Sequence, residues 1–139
     1  IPQNSFKTDW EVELGVVIGK TARYVEEANA LDYVAGYVLI NDVSERNFQL
    51  ERGPQWDKGK GCDTFGPIGP WVVSLDAFAN PQDLAIGCDI NGESMQSSRT
   101  SKMLFSIPQL IEYVSKWVEL APGDLLFTGT PAGVGSVRK

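Results

Sequence analysis

Between Glu11 and Ile18 the chain alternates. Val12, Leu14 and Val16 are apolar at every second position, and Gly19-Lys20 closes the run. A period of two marks a β-strand with one face turned to a core, so the fold must contain a sheet. The same alternation sends Glu11 and Glu13 together to the opposite face. That spacing fits a solvent-facing acidic strand, and it also fits two carboxylates aimed at one cation.

The rest of the chain mixes element types. Glu26 to Tyr33 reads as a helix through Ala28, Leu31 and Asp32. Gly36 to Asn41 reads as a second strand on the run Tyr37-Val38-Leu39-Ile40, although so short a run equally fits a continuation of the helix. Asp42 to Thr64 is polar, carries Arg46, Arg52, Lys58 and Lys60 with four Gly or Pro residues, and reads as one long loop. Loops of that length are usually active-site or lid segments. Gly66-Pro67-Ile68-Gly69-Pro70 is a rigid turn into a strand over Trp71 to Ser74. Leu84 to Ile90 and the segment after Asn91-Gly92 form a hairpin on a type I′ turn. The clearest helix begins at Ser106, which has capping-box spacing to Gln109, with Pro108 in the permissive first turn. Ile107, Leu110, Ile111, Val114, Trp117 and Val118 form its apolar face, and it stops before Pro122-Gly123. Leu125 to Phe127 is a short strand, followed by a glycine-rich loop over Thr128 to Gly135. The residues alone thus give a mixed α/β (α+β) domain.

Composition removes several functions. The 139 residues suffice for one domain with its own core, and 42% hydrophobic residues with four Trp argue for a packed chain. A net charge of -6 disfavours a nucleic-acid surface. No apolar run approaches a membrane span, and the Ile1-Pro2-Gln3 start is not a signal peptide. Because that start lacks Met, a processed or truncated chain is expected. Cys62 and Cys88 are too few for a disulfide framework, which favours a reducing, cytoplasmic setting. The chain has no histidine. Ser-His-Asp and Cys-His catalysis therefore cannot be built from it alone, and Cys62 has no activating partner to make it a nucleophile. Any metal must be held by oxygen, which points to Mg²⁺, Mn²⁺ or Ca²⁺ rather than zinc.

On this basis Asp42, at the end of the possible second strand, is a candidate third ligand beside Glu11 and Glu13. Three carboxylates leave room on a dication for water and a bidentate substrate. Arg46, Gln49 and Lys60 are candidates to surround its open side: Arg46 to fork onto a carboxylate, Gln49 to orient a carbonyl or water, Lys60 to supply positive charge to an enolate. A plain solvated charged loop fits the same three residues. Thr128 and Thr130 lie in a loop able to present amides to an anion, but it lacks the Gly-Lys-Ser/Thr ending of a P-loop.

Several runs carry a resemblance. They are Asp9-Trp10-Glu11-Val12-Glu13-Leu14, Leu31-Asp32-Tyr33-Val34-Ala35-Gly36-Tyr37, Asn41-Asp42-Val43-Ser44-Glu45-Arg46-Asn47-Phe48-Gln49, Trp56-Asp57-Lys58-Gly59-Lys60-Gly61-Cys62-Asp63-Thr64-Phe65 and Thr128-Gly129-Thr130-Pro131. In this order and spacing the chain resembles the fumarylacetoacetate hydrolase family, in its branch of 2-oxo-acid hydrolases, isomerases and decarboxylases. The resemblance implies a β-sandwich roll of mixed sheets with flanking helices. It assigns Glu11, Glu13 and Asp42 as ligands of Mg²⁺ or Mn²⁺, with Ca²⁺ an alternative. Arg46, Gln49 and Lys60 match its substrate- and metal-proximal positions, and Thr130 its contact to the substrate carboxylate end. It also implies a homodimer.

The expected activity is metal-dependent hydrolysis of a carbon–carbon bond in an acylpyruvate or other diketo acid. Alternatives are oxaloacetate decarboxylation or tautomerisation, isomerisation of 2-hydroxyhepta-2,4-diene-1,7-dioate, and non-enzymatic binding of a metal or 2-oxo acid. Two departures from the family stand out. Its members continue for several strands after the Thr130 loop, so residues 1–139 are expected to be a catalytic domain incomplete at its C-terminus. Many members also use a His/Glu acid–base pair, and this chain has no histidine.

Overall fold

The computed structural model describes residues 1–137. Its framework is a four-stranded antiparallel sheet centred on β2 (Val12–Ile18), the alternating segment. One neighbour is β3 (Val34–Asn41), which settles the ambiguous run as strand. Beyond β3 lies β5 (Val73–Ser74), and on the other side of β2 lies β8 (Leu125–Phe127). A two-stranded pair joins β1 (Thr8–Asp9) to β4 (Ser44–Glu45). The hairpin β6 (Ala85–Ile90) and β7 (Glu93–Arg99) packs on β2. Its turn has positive φ at both Asn91 and Gly92, as a type I′ turn requires.

Leu14, Val16 and Ile18 from one face of β2 meet Val34 and Tyr37 of β3 and Ile107 and Ile111 of α2 (Ile107–Trp117) in one core. The other face of β2 is covered as well, because Glu13 is only 3% exposed. A solvent-facing acidic strand is thereby ruled out. The segment read as a helix from Glu26 is a 3₁₀ helix over Glu27–Tyr33, the short, tight form. It buries Ala30 and packs against α2.

Helix α2 carries the expected capping box: Ser106 Oγ accepts from the Gln109 amide and the Gln109 side chain accepts from the Ser106 amide. Its expected apolar face needs correction at the C-terminal end. Trp117 is 69% exposed and Val118 52%, while Ser115 is fully buried. The Ser115 hydroxyl accepts from the Val25 amide at 3.1 Å and donates to the Glu112 carbonyl, so a hydrogen-bonded stitch occupies the face there.

Asp42 to Thr64 is not one loop. It contains β4, a single π-helical turn over Asn47–Glu51, and α1 (Asp57–Lys60). Polar contacts build the turn: the Asn47 amide donates to Glu45 Oε1 at 3.0 Å and the Asn47 side chain to Glu51 at 2.6 Å. Helix α1 lies directly on it, and a Cβ on Gly59 would come within 2.7 Å of the Gln49 amide nitrogen. Glycine there allows the approach that brings Lys60 to the end of β2. The expected strand over Trp71 to Ser74 shrinks to β5. Among the described residues, no helix is long and apolar enough to cross a membrane.

Candidate metal centre

Strand register brings the three carboxylates together. Asn41 pairs opposite Val12, so Asp42 falls beside Glu11. The Asp42 amide donates to the Glu11 carbonyl at 2.8 Å, and the Asn41 side chain accepts from the Glu11 amide at 2.9 Å. One oxygen from each of Glu11, Glu13 and Asp42 then lies within 4.8 Å of the others. Two oxygens sharing one hard cation stand at most about 4–5 Å apart. Donor type and spacing therefore fit Mg²⁺, Mn²⁺ or Ca²⁺.

Two cations are built into the cluster. The Lys60 ammonium donates to Glu11 Oε2 at 2.9 Å, to Ser44 Oγ at 3.0 Å and to Asp42. Burial pushes its pKa down, but the bonds to Asp42 and Glu11 outweigh that and hold it above the ordinary lysine value. Arg46 donates through Nε to Asp9 at 2.9 Å, through Nη1 to Gln49 Oε1 at 2.9 Å and through Nη2 to Glu11 Oε1 at 2.6 Å. All three of its nitrogens thus face protein partners.

Glu13 is the odd carboxylate. Among the described residues it accepts one hydrogen bond, from the Gly129 amide at 2.8 Å, and forms no ion pair. Burial raises its pKa to about 7, with Asp42 and Glu11 adding to the rise and Gly129 and Lys60 opposing it. Among the described residues, with all groups ionised, four carboxylates (Asp9, Glu11, Glu13, Asp42) face two cations (Arg46, Lys60). The uncompensated charge matches that of a dication.

The glycine-rich loop closes the other side. Thr128 donates to the Leu14 carbonyl at 2.6 Å and Thr130 to the Val12 carbonyl at 2.9 Å, which hangs the loop from β2. The Thr130 hydroxyl also accepts from Gln96 Nε2 at 2.8 Å, so it meets a further ligand as an acceptor. Thr130, Arg46, Gln49, Lys60 and Glu11 line one cleft of about 390 Å³, with Trp56 at its side. Glu11, Arg46, Gln49, Lys60 and Thr130 thus line this cleft, Glu13 and Asp42 belong to the carboxylate cluster at its wall, and Thr128 lines neither.

Two participants had escaped sequence reasoning. Asp9 is 4% exposed and sits between Arg46 and the glycine-rich loop. Its signal was available, because Asp9, Glu11 and Glu13 share a period of two. Gln96 is 1% exposed; it accepts from the Val12 amide at 3.0 Å and donates to Thr130 and the Pro131 carbonyl. Nothing in the β7 sequence marks it.

The chain is 58% identical over 139 residues to a 2,4-didehydro-3-deoxy-L-rhamnonate hydrolase of Sphingomonas sp. (strain SKA58), covering 100% of this chain and 49% of that protein. It thus spans about half the length of the curated relatives it matches. A 2-hydroxyhepta-2,4-diene-1,7-dioate isomerase from Mycobacterium marinum superposes with a TM-score of 0.91 at 43% identity, over 97% of this chain and 52% of that one. A fumarylacetoacetate hydrolase from Exiguobacterium antarcticum superposes with a TM-score of 0.92 at 41% identity, over 97% of this chain and 48% of that one. The model of the fumarylacetoacetate (FAA) hydrolase C-terminal region matches residues 1–139, and the chain belongs to that family.

Proposed function

We propose that this chain carries the metal and substrate site of a divalent-metal-dependent hydrolase that cleaves a carbon–carbon bond in an acylpyruvate or related diketo acid. The observation that carries the reading is the convergence of Glu11, Glu13 and Asp42 beside the paired Lys60. Those three carboxylates would hold Mg²⁺ or Mn²⁺, with Ca²⁺ as an alternative. A bound dication supplies Lewis acidity to the 2-oxo acid's carboxylate and oxo oxygens.

The chain's own groups do the rest. Water adds to the acyl carbonyl, the adjacent carbon–carbon bond breaks, and its electron pair moves onto the pyruvate fragment as an enolate. Lys60, kept protonated, offers positive charge to that enolate. Gln49 orients the carbonyl or the water through its side-chain amide. Arg46 keeps Glu11 in place with three of its five N–H groups engaged, which leaves one N–H on each Nη to meet a substrate carboxylate. Thr130 borders the cleft where the carboxylate end would lie. Protonation of the enolate carbon then gives pyruvate and a carboxylic acid.

The Sphingomonas relative supports hydrolysis, since its named substrate is a 2,4-dioxo acid in chemical form. The isomerase from Mycobacterium marinum supports a second reading, because enolate stabilisation also serves isomerisation, as it does tautomerisation or decarboxylation of oxaloacetate. The test is NMR of the full-length polypeptide with Mg²⁺ or Mn²⁺ against acylpyruvates, diketo sugar acids and oxaloacetate. Pyruvate with the matching acid is expected. Pyruvate with CO₂ would transfer the reading to decarboxylation, and rearrangement without cleavage to isomerisation. No turnover and no perturbation of the metal site by any 2-oxo acid would end the enzymatic reading. A homodimer in the cytoplasm completes the proposal.

A further inference from the structure

Asp9 is a buried carboxylate outside the converging trio, and its oxygens are fully used. Oδ1 accepts from the Trp10 amide at 2.8 Å and the Gly135 amide at 2.6 Å. Oδ2 accepts from the Ser136 amide at 2.9 Å and from Arg46 Nε at 2.9 Å. Arg46 passes the connection on to Glu11 Oε1 at 2.6 Å. A buried charge is costly unless it is paired and hydrogen-bonded, and Asp9 is both. Burial pushes its pKa up, but the Ser136 amide, Arg46 and the Gly135 amide hold it below the ordinary aspartate value.

The contact also depends on what stands at position 135. A Cβ there would lie 2.7 Å from Asp9 Oδ1 and 3.0 Å from the Trp10 ring. Only a residue without a side chain lets the loop amide reach the carboxylate. Ser136 and Arg46, which Asp9 bridges, both line the cleft.

We propose that Asp9 is a positioning residue for the metal centre: it locks the Gly135–Ser136 end of the glycine-rich loop onto the Arg46 guanidinium and so sets the orientation of Glu11. The inference rests on the metal reading above. A purely structural Asp9 would hold the loop and leave the metal indifferent. A positioning Asp9 makes loop placement and metal affinity rise and fall together, as outer contacts of metal ligands generally do.

The experiment titrates Mn²⁺ into the full-length polypeptide, its Asp9→Asn form and its Gly135→Ala form, each well below its own melting temperature. Electron paramagnetic resonance reads the free and bound metal. Asp9→Asn keeps the shape and one acceptor for the loop but removes the charge that Arg46 pairs with. Gly135→Ala leaves Asp9 and Arg46 chemically intact and pushes the loop away. Mn²⁺ affinity is expected to fall by about 10–100-fold in Asp9→Asn and by about tenfold in Gly135→Ala, with an altered line shape for the bound ion in both. Lower melting temperatures with wild-type Mn²⁺ affinity and line shape would overturn the inference. If Asp9→Asn is recovered unfolded, Gly135→Ala decides by the same readout. Failure of the wild-type protein itself to bind Mn²⁺ would instead overturn the metal reading beneath it.

Discussion

Glu13 makes a signed prediction at the scale of one residue. Burial pushes its carboxyl up to about 7 in the fold, against an ordinary value of 4.5. Between those values the folded state holds a proton that the unfolded state has released. Stability from this group is therefore fully present below about pH 4.5 and is lost as pH rises to about 7, by up to about 3 kcal/mol. Metal-free protein should melt higher at pH 5.5 than at pH 7.5, and the gain from millimolar Mg²⁺ should shrink over the same descent as protons compete for Glu13. Glu13→Gln should flatten both trends, and a wild-type melting temperature that ignores pH in this window would contradict the assignment. Lys60 makes the complementary case. Lys60→Gln leaves Asp42 without its cation and Glu11 with Arg46 alone, so the metal-free form should lose about 3 kcal/mol, read by urea unfolding. Mg²⁺ should recover more stability there than in the wild type, and turnover should still fall about 100-fold. An equal response to Mg²⁺ in both proteins would separate Lys60 from the cluster. At this scale the Glu11–Glu13 pair was legible because it lies in one short window, while Asp42 joins it through the register of β3 on β2. Gln96 was not legible, since its three bonds reach residues 12, 130 and 131.

Legibility among the elements followed the source of each one's stability. Strand β2, the Asn91-Gly92 hairpin and helix α2 rest on periodicity, turn chemistry and a cap, and all three are written in short windows. The π turn and α1 rest on side-chain bonds and on Gly59 meeting the Gln49 backbone, which no apolar period announces. The exposed end of α2 was misread because Ser115 replaces an apolar contact with hydrogen bonds. The cap gives an independent test: Ser106→Ala should cost about 1 kcal/mol of unfolding free energy. It should leave Mg²⁺ affinity unchanged, because α2 packs on the 3₁₀ helix over Glu27–Tyr33 rather than on the cleft. A matching loss of metal affinity would show that the helix and the site are coupled.

Across the whole molecule, Trp71, Leu104, Phe105 and Trp117 stand exposed at 63–94%, more large apolar surface than packing arguments from sequence had foreseen. The family resemblance leads us to expect a homodimer. Light scattering of the full-length polypeptide at micromolar concentration should give twice the monomer mass, and the monomer mass throughout would count against it. The long reach of the site has a further consequence, for biosynthesis. Asp9 and Glu13 leave the ribosome before their partners at Gly129, Gly135 and Ser136, which lie 116 to 127 residues later. At about 5–20 residues per second, the acidic strand waits roughly 6–25 s for the loop that completes its surroundings. Until then a nascent chain presents clustered carboxylates without the amides that orient them. Loading with the proposed metal would thus be tied to the arrival of the glycine-rich loop, and an ion captured earlier would meet an unfinished site.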